Sequence, residues 1–260
     1  MNSISEEQDF TIQKHCSQCN EPITAESRFC RHCGSAQNND AVQASEQKWN
    51  NVQQIALFFI FDAVICAIAS FIHFFKTVTW SICFDVLLAI IAVAFFCDNW
   101  TQNKSLLIWR NFSLLRLLTY CTLAVAGSLV VSFVVGWLNQ TLFSKEMSYY
   151  AFYATHSYGE ELMIFFVAAM PALFEELGYR GFLLQKLLLT VDKKQAIFIS
   201  AFLFAIMHMS FISLFWLIPF ALLLAYVRIK ENTLWYGVCI HFTFNFTVCV
   251  MELHKIHHLR

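Results

Sequence analysis

Charged residues and helix-breaking residues are both scarce in this chain. Asp, Glu, Lys and Arg make up 13% of the 260 residues, and there are only 7 glycines and 3 prolines. A soluble domain normally carries about 25% charged residues, so the composition excludes an ordinary soluble globular domain. Apolar residues reach 58% and include 28 phenylalanines. This balance favours a membrane protein, whose solvent is lipid.

The chain has no large excess of positive or negative charge, and it has no apolar segment near its N-terminus. Its net charge is -1, which provides no broad basic field for nucleic acid. Because the first fifty residues are polar, we expect no signal peptide. The first apolar run is therefore expected to remain in the mature protein.

The apolar residues fall into runs that begin near residue 51. We predict an all-α polytopic membrane protein with about seven transmembrane helices, six to eight being compatible with the pattern. The predicted spans are 52–75, 77–98, 113–139, 161–189, 195–209, 211–228 and 233–251. Four regions are predicted: a disordered tail at 1–12, a zinc ribbon at 13–36, a linker at 37–50 and a helical membrane domain at 51–260.

The short connections between these runs indicate an orientation. Lys and Arg occur in the connections 99–116, 186–194 and 228–231, which seven alternating spans place on the same side as the N-terminus. By the positive-inside rule that side is cytoplasmic. We expect an integral protein of a bacterial-type plasma membrane with a cytoplasmic N-terminus.

Four cysteines in the polar N-terminus have the spacing of a metal site. Cys16 and Cys19, then Cys30 and Cys33, form two CxxC knuckles ten residues apart. Two such knuckles supply the four thiolates of a closed tetrahedral zinc site. A closed site leaves no position for substrate, so this zinc is expected to be structural, with the ribbon serving as a fold staple or as a docking knob for a protein partner. Reduced thiols agree with a cytoplasmic N-terminus.

Several ionisable residues interrupt the apolar runs, where each costs at least about 2.5–3.5 kcal/mol at the centre of a helix. Glu176 and Arg180 are four residues apart on a helix and can form an ion pair, whereas adjacent Glu175 points about 100° away. Glu175 is therefore the carboxylate left to act. Two further groups follow along the chain: Phe204 with His208, and His241 with Asn245. Asp62 and Asp85 also lie in apolar runs, where we expect polar groups paired between helices.

Taken together, these three groups resemble the motifs EExxxR, FxxxH and HxxxN of the CPBP intramembrane proteases. This family includes the CAAX prenyl proteases and the bacteriocin-processing or Abi proteins. The resemblance covers residues 160–250. It implies a helical membrane fold with an active site open towards the cytoplasm.

The resemblance implies a role for each motif residue. Glu175 and His208 would activate a water molecule, and His241 and Asn245 would stabilise the oxyanion. Glu176, Arg180 and Phe204 would support the site. Glu175, His208 and His241 as ligands of a catalytic zinc are the alternative. Because HExxH is absent, a metal-free glutamate mechanism is favoured, with zinc only in the ribbon.

Other classes are less well supported by the sequence. The chain has no GxSG followed by a usable histidine and no GxGD, which disfavours rhomboid-like and aspartyl intramembrane proteases. A transporter predicts inverted repeats, and residues 52–139 show no similarity to 161–251. A non-catalytic membrane scaffold or regulator of a partner membrane protein remains the main alternative. The expected substrate of a protease is a peptide or membrane protein, with or without a lipid anchor.

Overall fold

A computed structural model describes residues 13–37, 39–143 and 148–259. The chain divides into two compact units, Met1–Gln53 and Gln54–Arg260. The disordered tail predicted for residues 1–12 lies outside the described residues.

The first unit contains a small hairpin that carries the four cysteines. Strands β1 (Gln13–His15) and β2 (Pro22–Thr24) pair antiparallel, with Lys14 opposite Ile23. The residue after each CxxC has a positive φ, +58° at Asn20 and +74° at Gly34. Asparagine and glycine tolerate this left-handed conformation better than other residues, which lets the chain turn sharply behind each knuckle.

The predicted linker at 37–50 is mostly helical. Helix α1 covers Asn39–Phe71, so it begins well before the apolar run. This stretch contains no glycine or proline and holds Ala, Gln, Glu and Lys, which are good helix formers. The polar segment is therefore part of helix α1.

The second unit is built of helices, as predicted. After α1, the bounds are α2 Val78–Asp98, α3 Trp100–Asn103, α4 Leu114–Phe143, α5 Tyr150–Tyr153, α6 Gly159–Met163, α7 Met170–Glu175, α8 Leu184–Leu188, α9 Lys193–Ile206, α10 Leu214–Glu231 and α11 Trp235–Leu259. Two π-helical segments, Ile164–Ala169 and Glu176–Leu183, join α6, α7 and α8, and 3₁₀ turns cover His73–Phe75 and Lys104–Leu107. We call the continuous Gly159–Leu188 stretch the site helix.

Five helices among the described residues are long and apolar enough to cross a membrane, which makes the protein an integral membrane protein. They are Val42–Phe71, Val78–Asp98, Leu114–Leu142, Gly159–Leu188 and Trp235–His258. The count of about seven is not confirmed, although α9 and α10 coincide with the other two apolar runs. At 14 residues α9 is shorter than the roughly 20 that span a bilayer, and the 18-residue α10 carries Arg228, Lys230 and Glu231 at its end.

The site helix packs closely on α1 and α2 because two of its residues lack side chains. A Cβ at Gly178 would lie 2.9 Å from the Phe58 ring of α1, and one at Gly181 would lie 2.7 Å from the Phe96 ring of α2. Phe58 and Phe96 are fully buried in these contacts. On the other side, α11 is tied to α4 by a hydrogen bond of 2.8 Å from the Ser128 hydroxyl to the Phe244 carbonyl.

Candidate functional site

The paired glutamates lie where the site helix changes its winding. Glu175 is the last residue of α7, and Glu176 is the first of the following π-helical segment. π-Helical turns are rare and occur frequently at functional sites. Here the π-helical segment carries Glu176 and Arg180, is buried almost throughout and directly follows Glu175.

Glu176 is the centre of a buried charge cluster. Its Oε1 lies 3.0 Å from Arg180 Nη1 and 3.2 Å from His241 Nδ1. The side chains of Glu176, Arg180 and His241 are 0%, 1% and 4% exposed. The structure thus forms the Glu176–Arg180 pair and adds His241 to it, a contact across 65 residues of sequence.

Glu175 occupies the opposite edge of the His241 ring. Its Oε2 lies 3.8 Å from His241 Nε2, and its side chain is 34% exposed. The imidazole therefore lies between two carboxylates, one sealed in the protein and one accessible. Glu176 makes the close contacts with Arg180 and His241, and Glu175 is the more exposed of the two carboxylates.

Glu175 and His208 line the same cavity, which has a volume of about 240 Å³. Helix α9 ends at Ile206, so His208 reaches the cavity from the turn that follows the helix. Met209, with φ of +48°, continues that turn in the left-handed conformation. Glu175 and His208 therefore reach the same cavity although α9 ends before His208.

The Phe204 side chain joins the three motifs. The Arg180 guanidinium lies 4.2 Å from the centre of its ring, a cation–π contact. The rings of His208 and His241 lie 5.1 Å and 6.1 Å from it. His208 Nδ1 is 3.2 Å from the Phe204 carbonyl oxygen, and because a carbonyl only accepts, Nδ1 carries the proton.

Asn245 is not among the residues that line the cavity, and it contacts the site helix in its first π-helical segment. Its Nδ2 donates to the Val167 carbonyl at 2.9 Å, inside the first π-helical segment. In an α-helical register that carbonyl would accept from the N–H of residue 171, which is a proline and has none. Asn245 supplies a donor that Pro171 cannot provide.

Residues outside the three motifs also contribute to the cavity. The Tyr179 hydroxyl donates to Asp62 Oδ2 at 3.0 Å, so Asp62 is paired between helices as expected. Asp62 and Asp85 both line the cavity. Sequence reasoning missed Tyr179, because its hydrogen bond spans 117 residues and no local pattern predicts it. It also missed Pro171 and Gly237, the latter lying one helical turn before His241.

Comparison with protein families agrees with this geometry. Residues 157–247 match the family described as Type II CAAX prenyl endopeptidase Rce1-like. We call residues 157–247 the Rce1-like segment. The match confirms the resemblance to the CAAX proteases and falls within a few residues of the predicted 160–250. No curated protein and no solved structure is similar enough to the chain to be a match.

The four cysteines lie outside the Rce1-like segment and form a compact group. The Sγ atoms of Cys16, Cys19, Cys30 and Cys33 all lie within 4.8 Å of one another, and none forms a disulfide. Hydrogen bonds from the Cys19 backbone and then from the Ser35 hydroxyl lower the pKa of the Cys16 thiol. Such a cluster could hold a metal ion such as zinc.

The histidines and carboxylates of the Rce1-like segment do not form a comparable group. Among the residues that the structure describes, the cysteine cluster is the one set of three or more ligands within 4.8 Å of one another. The ligand atoms of Glu175, His208 and His241 do not meet this criterion.

Proposed function

We propose that the protein is an intramembrane endopeptidase that hydrolyses a peptide bond near the cytoplasmic face, with Glu175 as the base. The observation that carries this proposal is the position of His241 between two carboxylates: its Nδ1 meets the buried Glu176, and its Nε2 faces the more accessible Glu175. A carboxylate that lines a cavity beside a second polar group is suited to activate water.

Glu175 and His208 would hold the attacking water between them. Because His208 Nδ1 donates to the Phe204 carbonyl, its Nε2 is the acceptor that orients a water hydrogen. Glu175 removes a proton from the water as the oxygen bonds to the carbonyl carbon, and the carbonyl π electrons move to oxygen. Glu175 then gives that proton to the amide nitrogen as the C–N bond breaks, leaving an acid and an amine.

His241 and Asn245 are the proposed donors to the oxyanion. His241 meets Glu176 through Nδ1 and Glu175 through Nε2, and with a proton on each nitrogen it would donate from Nε2 on the Glu175 side. The Asn245 amide uses one N–H for Val167, and the second is the one that would donate. Donors fixed in advance stabilise developing charge without further reorganisation.

The proposed mechanism uses no catalytic metal, and the proposed zinc is structural. Cys16, Cys19, Cys30 and Cys33 would hold it as thiolates and staple the ribbon. Reduced thiols and the basic connections support a cytoplasmic N-terminus in a bacterial-type plasma membrane.

The proposed substrate is a peptide or a membrane protein, with or without a lipid anchor. The family description names a CAAX prenyl endopeptidase, and the apolar surroundings of the cavity suit a lipidated or helical substrate. The ribbon is the proposed docking site for a protein partner.

The deciding experiment compares the wild type with Glu175→Gln in cells that lack the native copy. This substitution keeps the size of the side chain and removes the base. Glu161→Gln, at an exposed position in the first turn of the site helix, is the matched control. Mass spectrometry of membrane-protein termini should find cleaved ends with the wild type and with the control, and none with Glu175→Gln.

The opposite result would favour the scaffold. Identical termini at equal protein levels, together with a cellular phenotype that Glu175→Gln still rescues, would contradict hydrolysis. Loss of protein in the Glu175→Gln cells would instead indicate a folding defect, so the level of each variant is measured in the same membranes.

A further inference from the structure

We infer that Gly237 is a positioning residue for the proposed hydrolysis, because it leaves the space in which Glu176 holds His241. This inference rests on the proposed function. Gly237 lies in α11 and precedes His241 by one helical turn, so both residues share the face that meets the site helix.

The Glu176 carboxylate fills the space that a side chain would occupy at position 237. A Cβ built on Gly237 would lie 2.8 Å from Glu176 Oε2 and 3.6 Å from its Cδ. Contacts below 3.0 Å are essentially never observed, and ordinary contact begins near 3.4 Å. Any side chain at 237 therefore requires the carboxylate or the helix to move.

The carboxylate has little freedom to move without loss. Its Oε1 is shared by Arg180 at 3.0 Å and His241 at 3.2 Å, and Glu176 is fully buried. Oε2, which faces Gly237, has no hydrogen-bond partner among the described residues. Displacing Oε2 from Gly237 therefore turns or shifts Oε1, and the His241 ring loses the contact that orients it.

A small displacement at this point should act on catalysis more than on binding. Neither Gly237 nor Glu176 lines the cavity, whereas Glu175 and His208 do. Misplacement of a catalytic group by about 1 Å can cost on the order of 100-fold in rate. Gly237→Ala should therefore lower kcat by roughly 10- to 100-fold and change KM by less than about threefold.

The matched control is Gly136→Ala. Gly136 is also inside a long helix, α4, and a Cβ there meets nothing within 4 Å. Both variants replace a helical glycine by alanine, which favours the helix equally. Gly136→Ala should retain the wild-type kcat on a quenched fluorescent peptide with a prenylated CAAX terminus.

A second variant separates positioning from general damage. Glu176→Asp withdraws the carboxylate from position 237 by one methylene, so the alanine methyl group has nothing left to displace. The double variant Gly237→Ala/Glu176→Asp should therefore have a kcat within about threefold of Glu176→Asp alone. Losses that multiply, or a Gly237→Ala enzyme with the wild-type kcat, would overturn the inference.

A readout that needs no substrate keeps this inference distinct from the protease proposal. In chains labelled with ¹⁵N in the histidine rings, the His241 signals are identified by their absence in His241→Gln. They should shift in Gly237→Ala and stay in place in Gly136→Ala. If the wild type cleaves nothing and these signals still shift, the proposed reaction fails and the positioning holds. Unshifted signals would refute the positioning whether or not the peptide is cleaved.

Discussion

Replacing Asn245 by alanine should damage stability and catalysis through two separable contacts. The Asn245 amide donates to the Val167 carbonyl at 2.9 Å, where Pro171 provides no N–H. The variant leaves that carbonyl without this donor inside a membrane segment. Activity should fall as well if Asn245 donates to the oxyanion.

The stability lost in Asn245→Ala depends on which other donors the Val167 carbonyl can find. Hydrogen bonds between membrane helices average about 0.6 kcal/mol and reach about 1.7, because the separated helices find other partners. Here the α-helical partner of the carbonyl is missing in the separated helix too, since position 171 is proline. We therefore expect a loss of about 1.5–2 kcal/mol, within the range for an unsatisfied polar group. At about 2–4 °C per kcal/mol for a chain of this size, Tm should fall by roughly 3–8 °C.

Pro171→Ala supplies the test, because it restores an N–H at position 171. In that background Asn245→Ala should cost less than about 0.5 kcal/mol, which gives a coupling of at least about 1 kcal/mol in a double-mutant cycle. Thermal unfolding of all four proteins in identical micelles measures the coupling. Peptide cleavage is assayed in parallel, and Asn245→Ala should lower it in both backgrounds.

An equal destabilisation by Asn245→Ala in both backgrounds would refute this role of the amide. Unchanged cleavage in the Pro171→Ala background would assign Asn245 to the fold alone. The two readouts are independent, so each proposed contact of Asn245 can fail without the other.

The helical membrane fold was predictable because apolar runs and helix formers dominate the composition. The apolar runs predicted the bounds of α2, α4, α9 and α10 to within a few residues, whereas α1 begins 13 residues before its predicted span and α11 ends 8 residues after its own. Their number as spans was less well defined, because α9 and α10 are short or carry charges at their ends. Residues 39–50, predicted as a linker, are helical in the structure, because a polar sequence of good helix formers does not disfavour a helix.

The motif residues could be found from local spacing, but their contacts could not. The ion pair of Glu176 with Arg180 needs only an interval of four residues. His241 contacts Glu176 only because α11 packs on the site helix, and the spacing of residues along the sequence does not predict that packing. The π-helical winding at Glu176–Leu183 leaves no periodic signal either, because the segment is buried almost all round.

The sequence did not predict the roles of Gly237 and Pro171. Gly237 reads as an ordinary helical glycine until Glu176 Oε2 is seen beside it. Pro171 lacks the N–H that would meet the Val167 carbonyl in an α-helical register, and Asn245 of another helix donates to that carbonyl. In both cases the requirement arises from another helix, so only the three-dimensional structure reveals it.

Two further predictions concern the ribbon and the Asp62 contact. The purified protein should contain one zinc per chain by elemental analysis, and Cys30→Ser should abolish it, whereas Cys83→Ser, at an exposed cysteine of α2, should not. Zinc retained in the Cys30→Ser protein would contradict a four-thiolate site. Tyr179→Phe removes the hydroxyl that donates to Asp62, which is only 7% exposed, and should cost about 1–3 kcal/mol in thermal unfolding. Adding Asp62→Leu should recover part of this loss, because an apolar pair leaves no unsatisfied carboxylate. If the two losses simply add, the hydroxyl and the carboxylate are not coupled.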